Sequence, residues 1–174
     1  IYLKKNSKKK IINIHIQDPK VSLNNFDFVI IPEHDGLNGK NVITTKGAIH
    51  YLTIDEIKNN HNYLIDKLDK NREYLLLVLG GPNKYYDYNE KNLINIFEKI
   101  KKILESENLQ AIVLSSMRTP KITIDLADKF LGNENLVIKD IDKKAYLSGL
   151  SLAKYIVVTC DSTSMISEAA LTGK

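Results

Sequence analysis

The stretch Cys160-Asp161-Ser162-Thr163-Ser164, running on into Met165-Ile166-Ser167-Glu168-Ala169-Ala170, gathers hydroxyls where a helix is expected to begin. The start of a helix presents unpaired backbone amides and the positive end of its dipole, which is chemistry for a phosphate or diphosphate. Ser164 and Glu168 stand four residues apart on one face, and a carboxylate there can accept hydrogen bonds from a vicinal diol such as ribose. The alternative is an ordinary cap, with Asp161 or Ser162 satisfying the first amides and Glu168 complementing the dipole. A second loop, Ser116-Met117-Arg118-Thr119-Pro120, also enters a helix, and Arg118 can hold phosphate oxygens in a bidentate fork, while Thr119 has the alternative role of a cap. In a third, Gly80-Gly81-Pro82-Asn83-Lys84, the glycines Gly80 and Gly81 let backbone approach a ligand closely and Lys84 can meet a charge, the alternative being a tight turn.

A fourth cluster, Pro32-Glu33-His34-Asp35-Gly36, sets three titratable groups in a row. His34 titrates near neutrality and a carboxylate beside it tunes or orients it, so a general base is expected among Glu33, His34 and Asp35. With His50 the same residues have metal-ligand chemistry, but neighbours on an extended loop seldom point at one ion, and no metal site is expected. Cys160 is the only cysteine, so a disulfide or a cysteine zinc cluster within the chain is excluded, and no base is placed by the sequence to activate the thiol. No G-x-G-x-x-G is present, Gly173-Lys174 lacks both the upstream glycine and the following hydroxyl of a phosphate loop, and there is no G-x-S-x-G elbow. His15 alternates within an expected strand and His61 falls on an apolar helix stripe, so both read as structural.

The elements that must position these loops follow from periodicity. Ile11–Ile16, Phe26–Ile31 and Val42–Thr45 are short β-branched or aromatic runs bounded by turn signals, and read as strands. Ile57, His61, Leu64, Ile65 and Leu68 predict a helix from Ile54 to about Lys70, opened by a capping box of Thr53 and Glu56. Tyr74–Leu79 is continuously apolar, the mark of a parallel strand covered on both faces. From there helices and strands alternate. A helix is expected over Glu90–Glu105, capped by Asp87 and Glu90, then a strand over Ala111–Ser115 and a helix from Pro120 to about Phe130. A strand over Leu136–Ile138, a helix over Lys143–Ala153, a strand over Tyr155–Thr159 and a helix over Ser164–Leu171 complete the order. That alternation implies an α/β fold, doubly wound with right-handed crossovers, in which ligands sit outside the carboxyl ends of the strands. Residues 1–70 read as the closing part of a first unit and 71–174 as the opening part of a second. Since the chain opens on Ile1 and stops at Lys174 just after an expected helix, a fragment cut at both ends is expected.

The 174 residues are 43% hydrophobic and 26% charged, which suits a globular core and excludes wholesale disorder. No apolar run is long enough to span a membrane and no signal peptide is present, so a cytoplasmic protein is expected. Lys4, Lys5, Lys8, Lys9 and Lys10 account for all of the formal net charge of +4. The basicity is therefore local, which argues against a nucleic-acid partner and leaves peripheral contact with an acidic membrane surface open.

The four loops, taken in order with Asn41-Val42-Ile43-Thr44-Thr45-Lys46-Gly47-Ala48-Ile49-His50, resemble the mitochondrial fission ELM (elongated mitochondria) family, which has many bacterial members. The resemblance spans nearly the whole chain from Ile11. It implies Rossmann-like parallel sheets flanked by helices in a GT-B-like two-domain architecture, here truncated at both ends, with residues 71–174 in the nucleotide-binding domain. It further implies that Ser162, Thr163 and Ser164 face a diphosphate, Glu168 the ribose and Arg118 a phosphate charge, with Glu33, His34 or Asp35 as base toward an acceptor. Where two adjacent basic residues are expected before Thr-Pro, this chain has Met117-Arg118. The implied ligand is a nucleotide or nucleotide sugar, taken as substrate with no separate cofactor, and the implied activity is glycosyl transfer. A noncatalytic partner-binding or scaffold protein and a nucleotide-sugar epimerase are the alternatives that the same fold leaves open.

Overall fold

The computed structural model describes residues 2–174. The chain divides into two compact units, Ile1–Tyr51 and Leu52–Lys174. This boundary differs from the expected one at residue 70, because Leu52, Ile57, Leu64 and Leu68 bury into the core of the second unit.

In the first unit, a short helix α1 (Tyr2–Asn6) precedes strands β1 (Ile14–Ile16), β2 (Phe28–Pro32) and β3 (Val42–Thr45). They form a parallel sheet in that order, with Ile14 opposite Phe28 and Val29 opposite Val42. Strand β1 is shorter than its apolar run because Asn13 bonds to Asp27 instead: its amide donates to the Asp27 carboxylate and its carbonyl accepts from the Asp27 amide. Val29 and Ile31 are fully buried on one face of the sheet, whereas Ile14, Phe28 and Ile43 on the other remain exposed.

The second unit is a parallel sheet in the order β6-β5-β4-β7, made of β4 (Glu73–Leu79), β5 (Leu109–Ser115), β6 (Leu136–Ile138) and β7 (Tyr155–Val158). Its helices are α2 (Ile54–Asn59), α3 (Glu90–Ser106), α4 (Lys121–Leu131), α5 (Lys143–Leu152) and α6 (Thr163–Ala170). Successive strand residues point to opposite faces, so Leu75, Leu77 and Leu79 of β4 enter one core with Phe97 of α3 and Ile124 of α4. Leu76 and Val78 enter the other with Ile57 of α2 and Leu150 of α5. This is the doubly covered parallel α/β arrangement that the alternation implies, and every strand ends with its carboxyl terminus at the same edge.

Several boundaries differ from the periodicity, each for a local reason. The helix expected over 54–70 stops at Asn59 and continues as two 3-10 turns, His61–Tyr63 and Ile65–Lys67. Asn60 turns its side chain back onto the Glu56 carbonyl, and Ser148 of α5 accepts the Leu64 amide and donates to the His61 carbonyl, taking over bonds that a continuous helix would make. His61 consequently leaves the apolar stripe and lies exposed, with Nδ1 2.9 Å from Ser151 Oγ. Thr53 caps α2 as expected, by accepting from the Glu56 amide. Asn89, not Asp87, caps α3, and Pro120 precedes α4 rather than opening it.

Phe97, fully buried with its ring 6.5 Å from that of Phe130, anchors the α3 core. Phe97→Ala is expected to lower the unfolding free energy by about 3–5 kcal/mol in a urea titration. Ile103→Ala, on the same helix but 47% exposed, should cost no more than about 0.5 kcal/mol.

Candidate functional site

The loops that follow β4, β5 and β7 meet at the carboxyl edge of the second sheet, and a single carboxylate joins them. The Asp161 side chain is only 1% exposed. Its Oδ1 accepts from the Tyr88 and Thr159 hydroxyls, both at 2.6 Å, and its Oδ2 accepts from the Gly81 amide at 3.1 Å and from Arg118 Nη2 at 2.9 Å. Burial pushes this carboxyl upward, but the hydrogen bonds from Thr159, Tyr88 and Gly81 outweigh it and hold the group below the ordinary carboxylate range. Burial and the same carboxylate push the Tyr88 phenol well above its usual value.

The paired glycines are required by this convergence. A Cβ on Gly80 would lie 2.1 Å from Asp161 Oδ1, and one on Gly81 would lie 1.9 Å from the Arg118 carbonyl oxygen. Their amides are engaged too, Gly80 donating to Thr159 Oγ1 at 2.7 Å and Gly81 to Asp161. Thr119 is a loop tie rather than a helix cap, since its hydroxyl donates to the Leu79 carbonyl at 2.6 Å and accepts from the Ser116 amide at 2.7 Å. Lys84 is exposed, with its Nζ over the Tyr85 ring, 4.6 Å from the centroid.

Beyond Asp161 the chain enters α6 without a side-chain cap: Ser162 holds the cap position and makes no such bond. Thr53, Asn89 and Asp142 do cap α2, α3 and α5. The first-turn amides of α6 are therefore left to solvent or to a ligand. Glu168, one turn beyond Ser164, is half-buried and accepts from the Tyr146 hydroxyl at 2.8 Å. Burial first, and then this carboxylate, raise the Tyr146 phenol far above its usual value. Beside the site, an apolar cleft of about 290 Å³ runs between α3 and β7, lined by Leu93, Ile96, Val157 and Tyr86 and ending at Cys160 and Asp161. Cys160 is exposed.

Gly80, Gly81, Arg118, Thr119 and Ser162–Ser164 are thus brought to one edge of the second unit. Glu33, His34 and Asp35 belong to the first unit, where they form an exposed 3-10 turn at the carboxyl end of β2. His34 Nε2 lies 3.6 Å from Asp35 Oδ1. Among the described residues, no group of three or more His, Cys, Asp or Glu side chains is placed to hold a metal ion, and no helix is long and apolar enough to cross a membrane.

A family model described as "Mitochondrial fission ELM1" matches residues 1–174. The chain belongs to this family. Among its relatives are the uncharacterized protein RP120 of Rickettsia prowazekii, 26% identical over 212 residues, and the mitochondrial fission protein ELM1 of Arabidopsis thaliana, 24% identical over 191. These alignments cover 96% and 95% of this chain but 58% and 45% of the relatives, so the chain spans about half the length of the proteins it matches. A solved structure of Staphylococcus aureus MnaA with UDP superposes with a TM-score of 0.53 at 15% identity, over 86% of this chain and 41% of its own. The fold of this ELM1-family chain is accordingly GT-B-like.

Sequence reasoning finds in Asp161 only a helix cap and passes over Thr159 and Tyr88. The signal for them is a strand-end Thr two residues before an Asp, on the strand neighbouring one that ends in two glycines.

Gly81→Ala must displace backbone, not a flexible side chain, and should destabilise the second unit by at least about 2 kcal/mol in urea. Because the folded Asp161 carboxyl sits below its usual value, its contribution is complete above the unfolded value of about 3.9 and is lost as pH falls through the folded one. Asp161→Asn should therefore cost about 1–3 kcal/mol at pH 7, and the difference from wild type should shrink as urea titrations are taken toward pH 2.

Proposed function

We propose that this chain is the nucleotide-sugar-binding part of a GT-B-like glycosyltransferase. The observation that carries the reading is the start of α6, where Ser162 leaves the helix uncapped and three consecutive hydroxyl side chains flank the free amides. Diphosphate oxygens would take those amides and the hydroxyls of Ser162, Thr163 and Ser164, with the helix dipole favouring the charge. Arg118, whose Nη2 lies 3.2 Å from the Asp161 carbonyl oxygen, stands beside this turn and would balance the phosphates. Glu168, held by Tyr146, would accept the ribose hydroxyls. The UDP of the MnaA complex makes a uridine nucleotide the first ligand to try.

In the transfer step the acceptor oxygen would form a bond to the anomeric carbon while the bond from that carbon to the diphosphate oxygen breaks. The amides of α6 and Arg118 would stabilise the charge that develops on the leaving diphosphate. The acceptor proton would pass to a general base, for which the family resemblance offers His34, Asp35 or Glu33.

The test is thermal unfolding of the chain with UDP, ADP, GDP and their sugar conjugates, repeated on Ser162→Ala/Glu168→Ala. A ligand at about a hundred times its dissociation constant adds roughly 2.7 kcal/mol. At this chain length that is a rise of about 5–10 °C. A rise with one nucleotide that the double variant lacks is the expected result, and product analysis with that donor then separates transfer from epimerisation. No rise with any nucleotide overturns the reading in favour of a noncatalytic, partner-binding protein.

A further inference from the structure

We propose that Asp161 is a positioning residue for the ligand anion: it holds the Arg118 guanidinium through Nη2 so that the remaining donors, on Nε and Nη1, are offered to the diphosphate at the start of α6. The inference rests on the nucleotide reading above and adds to it a residue outside the ligand-contacting set. Arg118 is tied through one nitrogen, Nη2, which donates to Asp161 Oδ2 at 2.9 Å and to the Asp161 carbonyl oxygen at 3.2 Å. A guanidinium carries five donors in one plane, and Nε and Nη1 of Arg118 make no hydrogen bond within the described chain, on a side chain that is 48% exposed. The guanidinium is thus fixed in place with its free donors at the surface, beside the peptide that leads into Ser162.

Asp161 is unsuited to meeting a ligand itself. Its side chain is 1% exposed, and both oxygens are occupied by the Gly81 amide, the Tyr88 and Thr159 hydroxyls and Arg118. A carboxylate with that many donors stays ionised and keeps one orientation, which makes it a fixed counter-charge behind the arginine. An arginine free in solvent would lose rotamer freedom on meeting a phosphate; one already held does not, and the gain appears as affinity. The carbonyl of Arg118 against Gly81 fixes the backbone from which the side chain extends.

Calorimetric titration of the chain with UDP and with inorganic pyrophosphate, on wild type, Arg118→Ala, Asp161→Asn and the double variant, decides the matter. Each single variant should weaken both ligands about tenfold, and the double variant should be no weaker than Arg118→Ala alone, since the bonds of Asp161 to Gly81, Tyr88 and Thr159 hold the loops whereas its effect on the anion runs through Arg118. A carboxylate that merely holds the loops together would lower affinity in the Arg118→Ala background as well, and that result overturns the inference. So does an Asp161→Asn protein that stays folded and binds within twofold of wild type. Should Asp161→Asn fail to fold, nitrogen-15 relaxation of the Arg118 Nε signal in ligand-free wild type, assigned by its loss in Arg118→Lys, supplies the answer. A rigid signal that pyrophosphate leaves rigid is expected, and a mobile one overturns the proposal. Wild type that binds neither UDP nor pyrophosphate removes the nucleotide reading and this inference together, whereas failure of the inference alone leaves wild-type binding intact.

Discussion

A charge kept out of water is the constraint around which the second unit is arranged. Placing an ionised carboxylate in a protein interior is costly unless donors replace its hydration, and Asp161 obtains them from three loops that are far apart in sequence. The backbone after β4 must come within hydrogen-bonding range, which excludes side chains at Gly80 and Gly81. The loop after β5 must deliver Arg118, and Thr119 holds that loop to the end of β4 through the Leu79 carbonyl. Each of these ties lies at the carboxyl edge of the sheet, so satisfying one buried charge also shapes the edge where α/β folds bind their ligands.

Such an arrangement needs a platform that does not move, and β4 supplies it. Its residues alternate between two cores, with Leu75, Leu77 and Leu79 facing α3 and α4 while Leu76 and Val78 face α2 and α5. It is flanked by β5 on one side and β7 on the other, so all three site loops leave from adjacent strands. Burial on both faces fixes the strand's register, since a slip of one residue would exchange the two cores. The end of β4, and with it the position of Gly80, is therefore set by packing well away from the site.

What the sequence made legible was whatever depends on local pattern. The continuous apolar run of β4, the stripe of Leu93, Phe97, Ile100 and Leu104 on α3, and the Thr53 cap are each carried by a few neighbouring residues, and each is where the pattern places it. Features set by distant partners were not legible. The helix after Thr53 stops because Ser148, far along the chain, takes its hydrogen bonds, and the division after Tyr51 depends on which core receives Leu64 and Leu68. The clustering of Gly80, Arg118 and Ser162 follows from strand order and could be inferred; the occupation of the glycine amides by Asp161 and Thr159 could not, because nothing in a glycine pair names its acceptor.

The contact between Gly80 and the Asp161 carboxylate also bears on how this family can drift in sequence. A methyl at position 80 would occupy the space of the carboxylate itself, not merely crowd it. The two positions are therefore bound to change together: an alanine at 80 is compatible only with a shorter or withdrawn side chain at 161, and then Arg118, Tyr88 and Thr159 lose their common acceptor. A lineage that altered either residue first would pass through a strained or uncompensated intermediate. Gly80 and Asp161 should accordingly persist as a pair, or be replaced as a pair, over stretches of divergence in which the surface around them is rewritten.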